Sequence, residues 1–309
     1  MQVVHGYRNA PMWEGAAIAI GNFDGVHVGH RALITRTREL AAIHNALAVV
    51  LTFDPHPSAL LAPEHAPPML TSLGRRLELL AEAGVDAVVV EPFTRALADI
   101  PAEAFVDDVV IAALRARAIV VGYDFSYGQG RTGTTAALRA HGGQAGIEVE
   151  IVPPVTVDGE IAASTRVRSH LRAGDLARVL RMLGRPWDVD GVVVHGAERG
   201  RAIGVPTANI TPEVDLAIAP GIYAVTLGVE GGPAMPAVAS LGTNPTFVDA
   251  GRLVLEVHVL DWQGDLYDRR VRTTFVARLR DELKFDSVEA LVAQIQRDIA
   301  DARAALAAR

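Results

Sequence analysis

Two histidines three residues apart, His27 and His30, stand in the run Gly21-Asn22-Phe23-Asp24-Gly25-Val26-His27-Val28-Gly29-His30. The run follows an apolar segment of strand length, Ala16–Ile20, and opens a stretch of helical spacing. A helix N-terminus offers free backbone N–H groups and the positive end of the helix dipole, so phosphate is favoured there. Histidines three apart can face one point, and Gly29 between them leaves room for a phosphate to approach the backbone. The strand–turn–helix context therefore points to phosphate chemistry. Two plainer readings compete: a turn with two surface histidines, or a metal pair. The His-Glu-x-x-His spacing and a clear third ligand of a zinc site are missing.

Three further groups could do chemistry. Ser164-Thr165-Arg166-Val167-Arg168 combines hydroxyls and guanidinium groups at a helix start, and arginine forks match phosphate oxygens bidentately. The alternative is a Ser N-cap followed by solvent-facing arginines. Gly204-Val205-Pro206-Thr207-Ala208-Asn209 carries side-chain oxygens at Thr207 and Asn209 that suit a hard cation, although alone it reads as an ordinary turn. Glu256 sits in the apolar run Leu253–Leu260, where strand alternation puts Glu256 and His258 on one face and Leu255, Val257 and Val259 on the other. The face with Glu256 is expected to look into a site. One motif is a decoy: Gly128-Gln129-Gly130-Arg131-Thr132-Gly133 fits G-x-G-x-x-G, but it follows a fourth strand rather than a first one.

These residues need elements to hold them. In the first half, Ala16–Ile20, Ala46–Phe53, Ala87–Val90, Ile119–Gly122 and Ile147–Val152 read as strands alternating with helical segments. One predicted helix runs from Ser72 with Leu73, Leu77 and Leu80 on one face to Gly84; another begins at Pro101 and buries Phe105, Val106, Val109, Val110, Ala113 and Leu114. The pattern predicts an α/β fold, a doubly wound parallel sheet covered on both faces, with ligands at the carboxyl ends of the strands. From Gly184-Arg185-Pro186-Trp187 the texture changes. Val189–Val194, Ile222–Val229, Ala237–Leu241, Leu253–Leu260 and Val271–Val276 read as a small antiparallel barrel or meander. A final helix, capped near Asp286 or Ser287, would bury Leu291, Ile295, Ile299, Ala302 and Leu306. The expected domains are 1–184 and 187–309.

Composition bounds the function. The chain has 309 residues, a length that suits two domains, and no cysteine, which excludes disulfides, iron–sulfur clusters and a thiol nucleophile. Its net charge of −7 is spread over both halves, so neither is a basic nucleic-acid module. Lys284 is the one lysine, so phosphate clamps elsewhere must use arginine, histidine or backbone amides. No apolar run approaches the length of a membrane span and no secretory signal is visible, so a cytoplasmic enzyme is expected.

The His-x-Gly-His run resembles the signature of nucleotidyltransferases and, more narrowly, of prokaryotic bifunctional riboflavin kinase/FAD synthetase. Further motifs follow in family order: Thr52-Phe53-Asp54-Pro55-His56-Pro57, Gly122-Tyr123-Asp124-Phe125-Ser126-Tyr127-Gly128, Ser164–Arg168 and Gly204–Asn209. Gly242-Thr243-Asn244-Pro245-Thr246-Phe247, Leu255–His258 and Leu279-Arg280-Asp281-Glu282-Leu283-Lys284-Phe285 complete the set. The resemblance covers almost the whole chain.

It implies an N-terminal nucleotidyltransferase domain and a C-terminal riboflavin kinase barrel with a terminal helix. The kinase would move the γ-phosphate of ATP to riboflavin, giving FMN. The transferase would join FMN to the adenylyl group of a second ATP, giving FAD and pyrophosphate. His27 and His30 would stabilise charge on the α-phosphate, with Gly29, Asp124, Ser164, Thr165 and Arg168 holding ATP. Phe125 and Tyr127 would shape the flavin or adenine pocket. Thr207 and Asn209 would hold Mg²⁺ with ATP, and Glu256 would be the kinase base. Two positions depart from the pattern: Ala163 replaces a serine and Ser126 an arginine. The implied partners are riboflavin, FMN and ATP, not nucleic acid or a membrane; no oligomeric state is implied. Rival readings are a chain with one active half, a non-catalytic flavin-binding protein, and a cytidylyltransferase.

Overall fold

The computed structural model describes residues 1–196, 200, 204–230, 232–243 and 253–308. Asn244–Phe247 of the 242–247 motif lie outside them. The chain divides into two compact units, residues 1–67 with 73–163, and residues 68–72 with 164–309.

The first unit is built on a six-stranded parallel sheet: β1 (Gln2–His5), β2 (Ala16–Ile20), β3 (Leu47–Asp54), β4 (Ala87–Pro92), β5 (Ala116–Gly122) and β6 (Glu148–Val152). The order is β1-β4-β3-β2-β5-β6. Five of these strands are the expected ones. β1 is the addition, a four-residue edge strand whose Gln2–His5 run parallel to Ala87–Val90 of β4. Every residue of β2 is buried, as a central strand covered on both faces requires. The chain leaves β2 towards β3 on one side, and β5 lies on its other side. That reversal is a switch point, where a crevice forms outside the carboxyl ends of the strands.

Helices α1 (Val28–Ile43), α2 (Leu73–Glu82) and α3 (Thr135–Gln144) belong to this unit. The segment after Pro101 is helical as expected, but Phe105–Ala113 is wound as a π-helix and Leu114 N–H bonds Val109 O. The wider winding keeps Phe105, Val106, Val109, Val110 and Leu114 buried together. Gly128–Gly133 forms no strand-to-helix turn. It is the tip of a short hairpin between Ser126–Tyr127 and Gly133–Thr134.

The second unit begins with α4 (Ser164–Arg172) and α5 (Leu176–Leu183). A closed antiparallel barrel follows: β7 (Asp188–Val194), β8 (Ala208–Pro212), β9 (Gly221–Val229), β10 (Ala234–Thr243), β11 (Leu253–Val259) and β12 (Arg270–Arg280). The texture expected from residue 187 thus starts a barrel, while the compact unit reaches back to residue 164. Ala219 N–H donates to Leu171 O of α4, and the buried Trp187, just before β7, donates its indole N–H to Leu70 O at 2.9 Å. The sixth strand, β8, was hidden because Pro212 and two polar residues, Asn209 and Thr211, mask its alternation.

The terminal helix α6 (Val288–Ala307) starts at the expected cap, with Ser287 Oγ accepting from Ala290 N–H at 3.1 Å. The apolar stripe faces inward, and a buried charge beside it adds an anchor that the pattern did not show. The fully buried positions are Asp298 and Ala302, and Leu291, Ile295, Ile299 and Leu306 are half-buried. Arg280 of β12 grips Asp298 with two hydrogen bonds of 2.8 and 2.7 Å, and Gln294 donates a third at 2.9 Å. Removing one partner of a buried pair leaves the other charge uncompensated. Asp298→Ala is therefore expected to destabilise the barrel by about 3 kcal/mol, read as a lower urea midpoint of its unfolding transition.

Candidate active sites

The first site grows from the end of β2. After Ile20 the chain turns through three residues with positive φ: Phe23 (51°), Gly25 (81°) and Val26 (43°). For Phe and above all β-branched Val this backbone is strained, and burial of both side chains at 0% exposure offsets the strain. The turn delivers His27 as the N-cap of α1. Its Nδ1 accepts the His30 backbone N–H at 3.3 Å, so neutral His27 carries its proton on Nε2.

The two imidazoles are stacked, with centroids 3.6 Å apart and planes 20° from parallel. Phe23 packs against His30 at 5.0 Å. Burial, then His27, then Arg76 push the His30 pKa well below the usual histidine value. Two stacked rings at this distance cannot both hold a proton cheaply. His30 Nδ1 is buried with no hydrogen-bond partner among the described residues. A Cβ on Gly29 would stand 3.0 Å from His27 Cε1 and Nδ1 and 3.2 Å from Ala162 O. Glycine is favoured here by this crowding, not by a left-handed backbone. His27 is therefore buried and His30 half-buried, so they are not surface residues of a loose turn.

Asp124 follows β5 across the switch point and is exposed. Phe125 is half-buried and stacks on Tyr127, with centroids 5.4 Å apart and planes 15° from parallel. Tyr127 is a core residue at 8% exposure, packed also against Phe105, and burial raises its hydroxyl pKa. At Ser126, where an arginine was missed, Arg131 Nε donates to the serine hydroxyl at 2.7 Å. The spacing alone could not reveal that a cation returns from five residues on.

Ser164, Thr165 and Arg168 open α4 in the second unit. Thr165 is exposed and Ser164 half-buried. Arg168 is no solvated arginine: it is 4% exposed and its Nε donates to Pro68 O at 2.7 Å. Arg166, by contrast, faces solvent.

The second site lies on the outside of the barrel. Leu255, Val257 and Val259 of β11 point inward and are buried, leaving Glu256 and His258 half-buried on the outer face. Glu256 pairs with Asn209 across β8 and with Ser240 across β10. Thr207 Oγ1 stands 3.5 Å from Glu256 Oε2, and His258 Nδ1 stands 2.7 Å from Pro206 O. The Gly196 backbone lies against the Asn209 side chain, too close to admit a Cβ. Thr207 and Asn209 thus share one patch of side-chain oxygens with Glu256, which is distant from them in sequence. Among the described residues no three of His, Cys, Asp or Glu gather as a metal cluster. The patch fits a cation that takes few protein oxygens and shares the rest with phosphate and water.

A parallel sheet with a histidine-capped helix start at its switch point, followed in the chain by a closed antiparallel barrel, is the fold of a nucleotidyltransferase domain combined with a riboflavin kinase domain. Residues 9–166 match the FAD synthetase family and residues 183–306 the riboflavin kinase family. The chain is 39% identical over 305 residues to a bifunctional riboflavin kinase/FMN adenylyltransferase of Pseudomonas fluorescens, covering 98% of this chain and 97% of that one. It is 40% identical over 300 residues to the Escherichia coli K12 protein of the same name, covering 97% and 95%. A crystal structure of a Streptococcus pneumoniae protein described as a macrolide-efflux protein superposes with a TM-score of 0.88 at 31% identity, covering 98% and 99%. No helix among the described residues is long and apolar enough to cross a membrane.

The chain belongs to the bifunctional riboflavin kinase/FMN adenylyltransferase family. It is an enzyme of flavin-cofactor synthesis, phosphorylating riboflavin to FMN and adenylylating FMN to FAD. Riboflavin, FMN and ATP are its substrates, and such ATP-using transfers need a divalent metal.

The depressed His30 pKa carries a stability signature. Below the ordinary histidine pKa the unfolded chain binds a proton that the folded site refuses, so stability falls as pH drops through that range. His30→Gln should flatten the slope of the first unit's stability between pH 6.5 and the lower folded pKa, by at most about 1.4 kcal/mol per pH unit. Urea unfolding at several pH values measures it.

Proposed function

We propose that residues 1–184 form the adenylyltransferase and residues 187–309 the kinase, each with its own ATP site. In the first, a phosphate oxygen of FMN attacks the α-phosphorus of ATP in line, and the bond to pyrophosphate breaks. His27 and His30 donate hydrogen bonds to the charge that builds on the α-phosphate, and no covalent intermediate is required. Gly29 lets the phosphate reach the helix start. Asp124, Ser164, Thr165 and Arg168 hold the nucleotide, and Phe125, backed by Tyr127, contacts the flavin. The observation that carries this reading is the stacked imidazole pair, mounted on a buried kink at the sheet's switch point.

In the kinase, the terminal ribityl hydroxyl attacks the γ-phosphorus and ADP leaves. Glu256 accepts the hydroxyl proton. Thr207 and Asn209 would hold Mg²⁺ together with the ATP phosphates, and when bound the ion supplies charge neutralisation. The 3.5 Å approach of Thr207 to Glu256 supports one shared site for metal, phosphate and base. We assign the enzyme to the cytoplasm, with neither nucleic acid nor a membrane as partner.

The two activities should separate by mutation. His27→Ala with His30→Ala should cut FMN-to-FAD conversion by about 10²–10³ or more and spare riboflavin phosphorylation. Glu256→Gln should lower the kinase kcat by about 10²–10⁴, with ATP affinity and FAD formation retained. Product separation after incubation with riboflavin, ATP and Mg²⁺, and then with FMN and ATP, reads both. A Glu256→Gln enzyme with the parent kinase rate would leave Glu256 a structural strand residue. The fragment 187–309 is likewise expected to fold and make FMN. A folded but inactive fragment, rescued by starting at residue 164, would move the kinase boundary to α4.

A further inference from the structure

Arg76 is among the largest fully buried side chains, at 1% exposure, on α2, a helix whose Leu73, Leu77, Leu79 and Leu80 pack into the same core cluster as Phe23 and Val26. A buried cation is costly unless it is fully used. This one is spread over the carboxyl ends of two neighbouring strands through its two Nη groups, while its Nε has no hydrogen-bond partner among the described residues. Arg76 Nη1 donates to Asn22 O at 2.9 Å, beyond β2, and to Phe53 O at 3.3 Å in β3. Its Nη2 donates to Asp54 Oδ1 at 3.3 Å. Asp54 and Asp24 both stabilise its charge, while burial lowers its pKa from the ordinary arginine value.

The Asn22 carbonyl is the important acceptor. It takes a second hydrogen bond from Thr52 Oγ1 at 3.1 Å, so both its lone pairs are engaged. This carbonyl immediately precedes Phe23, the first positive-φ residue of the kink that carries His27 and His30. A peptide held from two sides cannot rotate to relieve that strain. Phe23 then stays buried against the His30 ring.

We propose that Arg76 is a positioning residue for FMN adenylylation: with Thr52 it pins the Asn22 carbonyl and so fixes the strained turn on which the two histidines are mounted. Its guanidinium is buried on two backbone carbonyls and Asp54, so the role assigned to it is to position and not to react. The charge of Arg76 also faces His30 and, after burial and His27, helps to keep that ring unprotonated. Lysine could not replace it, because a single ammonium lacks the planar fork that spans two carbonyls and a carboxylate.

The proposal rests on the assignment of His27 and His30, and the test separates the two. Full-length Arg76→Met and Thr52→Val enzymes are assayed for FMN adenylylation and, in the same preparations, for riboflavin phosphorylation. Arg76→Met should lower the adenylylation kcat by about 10- to 100-fold, the scale of a small misplacement of catalytic groups. KM for ATP and FMN should stay within about twofold and the kinase kcat unchanged, a split that general loss of folded protein would not produce. Thr52→Val, which removes the other bond to the same carbonyl, should lower kcat several-fold in the same pattern. A parent kcat in Arg76→Met, or a raised KM with kcat intact, overturns the proposal. If Arg76→Met does not fold, Thr52→Val decides, and a parent kcat there overturns it. His30→Ala is the reference: a parent adenylylation rate in that variant removes the site assignment itself, whatever Arg76 does.

Discussion

The carbonyl oxygen of Asn22 sits where a strand buried on both faces must stop and turn, and it is held by Thr52 from β3 and Arg76 from α2. Around it the backbone adopts φ values that Phe23 and Val26 would avoid in a free chain. Both side chains are completely buried, so the packing of the first unit over-determines the turn. The start of α1, the cap made by His27 and the stacking of His30 all follow from it. The stacked arrangement of the two rings is thus held by the packing of the turn itself.

The second unit solves the same problem in another way. Its barrel interior is filled by Leu255, Val257, Val259, Tyr223 and Phe275, so the polar groups that could handle ATP have only the outer face. Antiparallel register does the gathering there. Asn209 on β8 lies opposite Glu256 on β11, and Thr207 comes in two residues before Asn209. Cross-strand neighbours are fixed by hydrogen bonding along the whole ladder, so a single register slip would separate the pair. The bonds from half-buried Arg272 to buried Asp190, 2.6 and 2.9 Å long, join β12 to β7 directly opposite each other and favour one register of the closed sheet.

Much of this was legible in the residues. Short apolar runs alternating with helical spacing marked five of the six parallel strands, because a strand buried on both faces must be apolar throughout. The change of texture at Trp187 marked the barrel, and Ser287 the last helix. The glycine at 29 and the histidines on either side of it marked the start of α1, which His27 caps. Edge strand β1 and strand β8 escaped, because a four-residue run and a run interrupted by Asn209 and Thr211 carry too little periodicity. The stripe on α6 held at Ala302 but left out the buried charge of Asp298, which patterning counts as a surface residue.

What the sequence by itself determined was the chemistry available and the order of its parts: histidines after the first central strand, oxygen donors and a glutamate in the second half, and the match to a family of flavin-cofactor enzymes. What only the tertiary structure decided was which groups meet and which are neutralised. Arg168 and Arg76 look like any arginines in the sequence, yet each is buried against backbone carbonyls. Arg131 returns to Ser126, and Thr207 comes within reach of Glu256 across 49 positions. Local preferences extend over a few residues, whereas a hydrogen bond or a desolvated charge depends on what the rest of the chain packs against it.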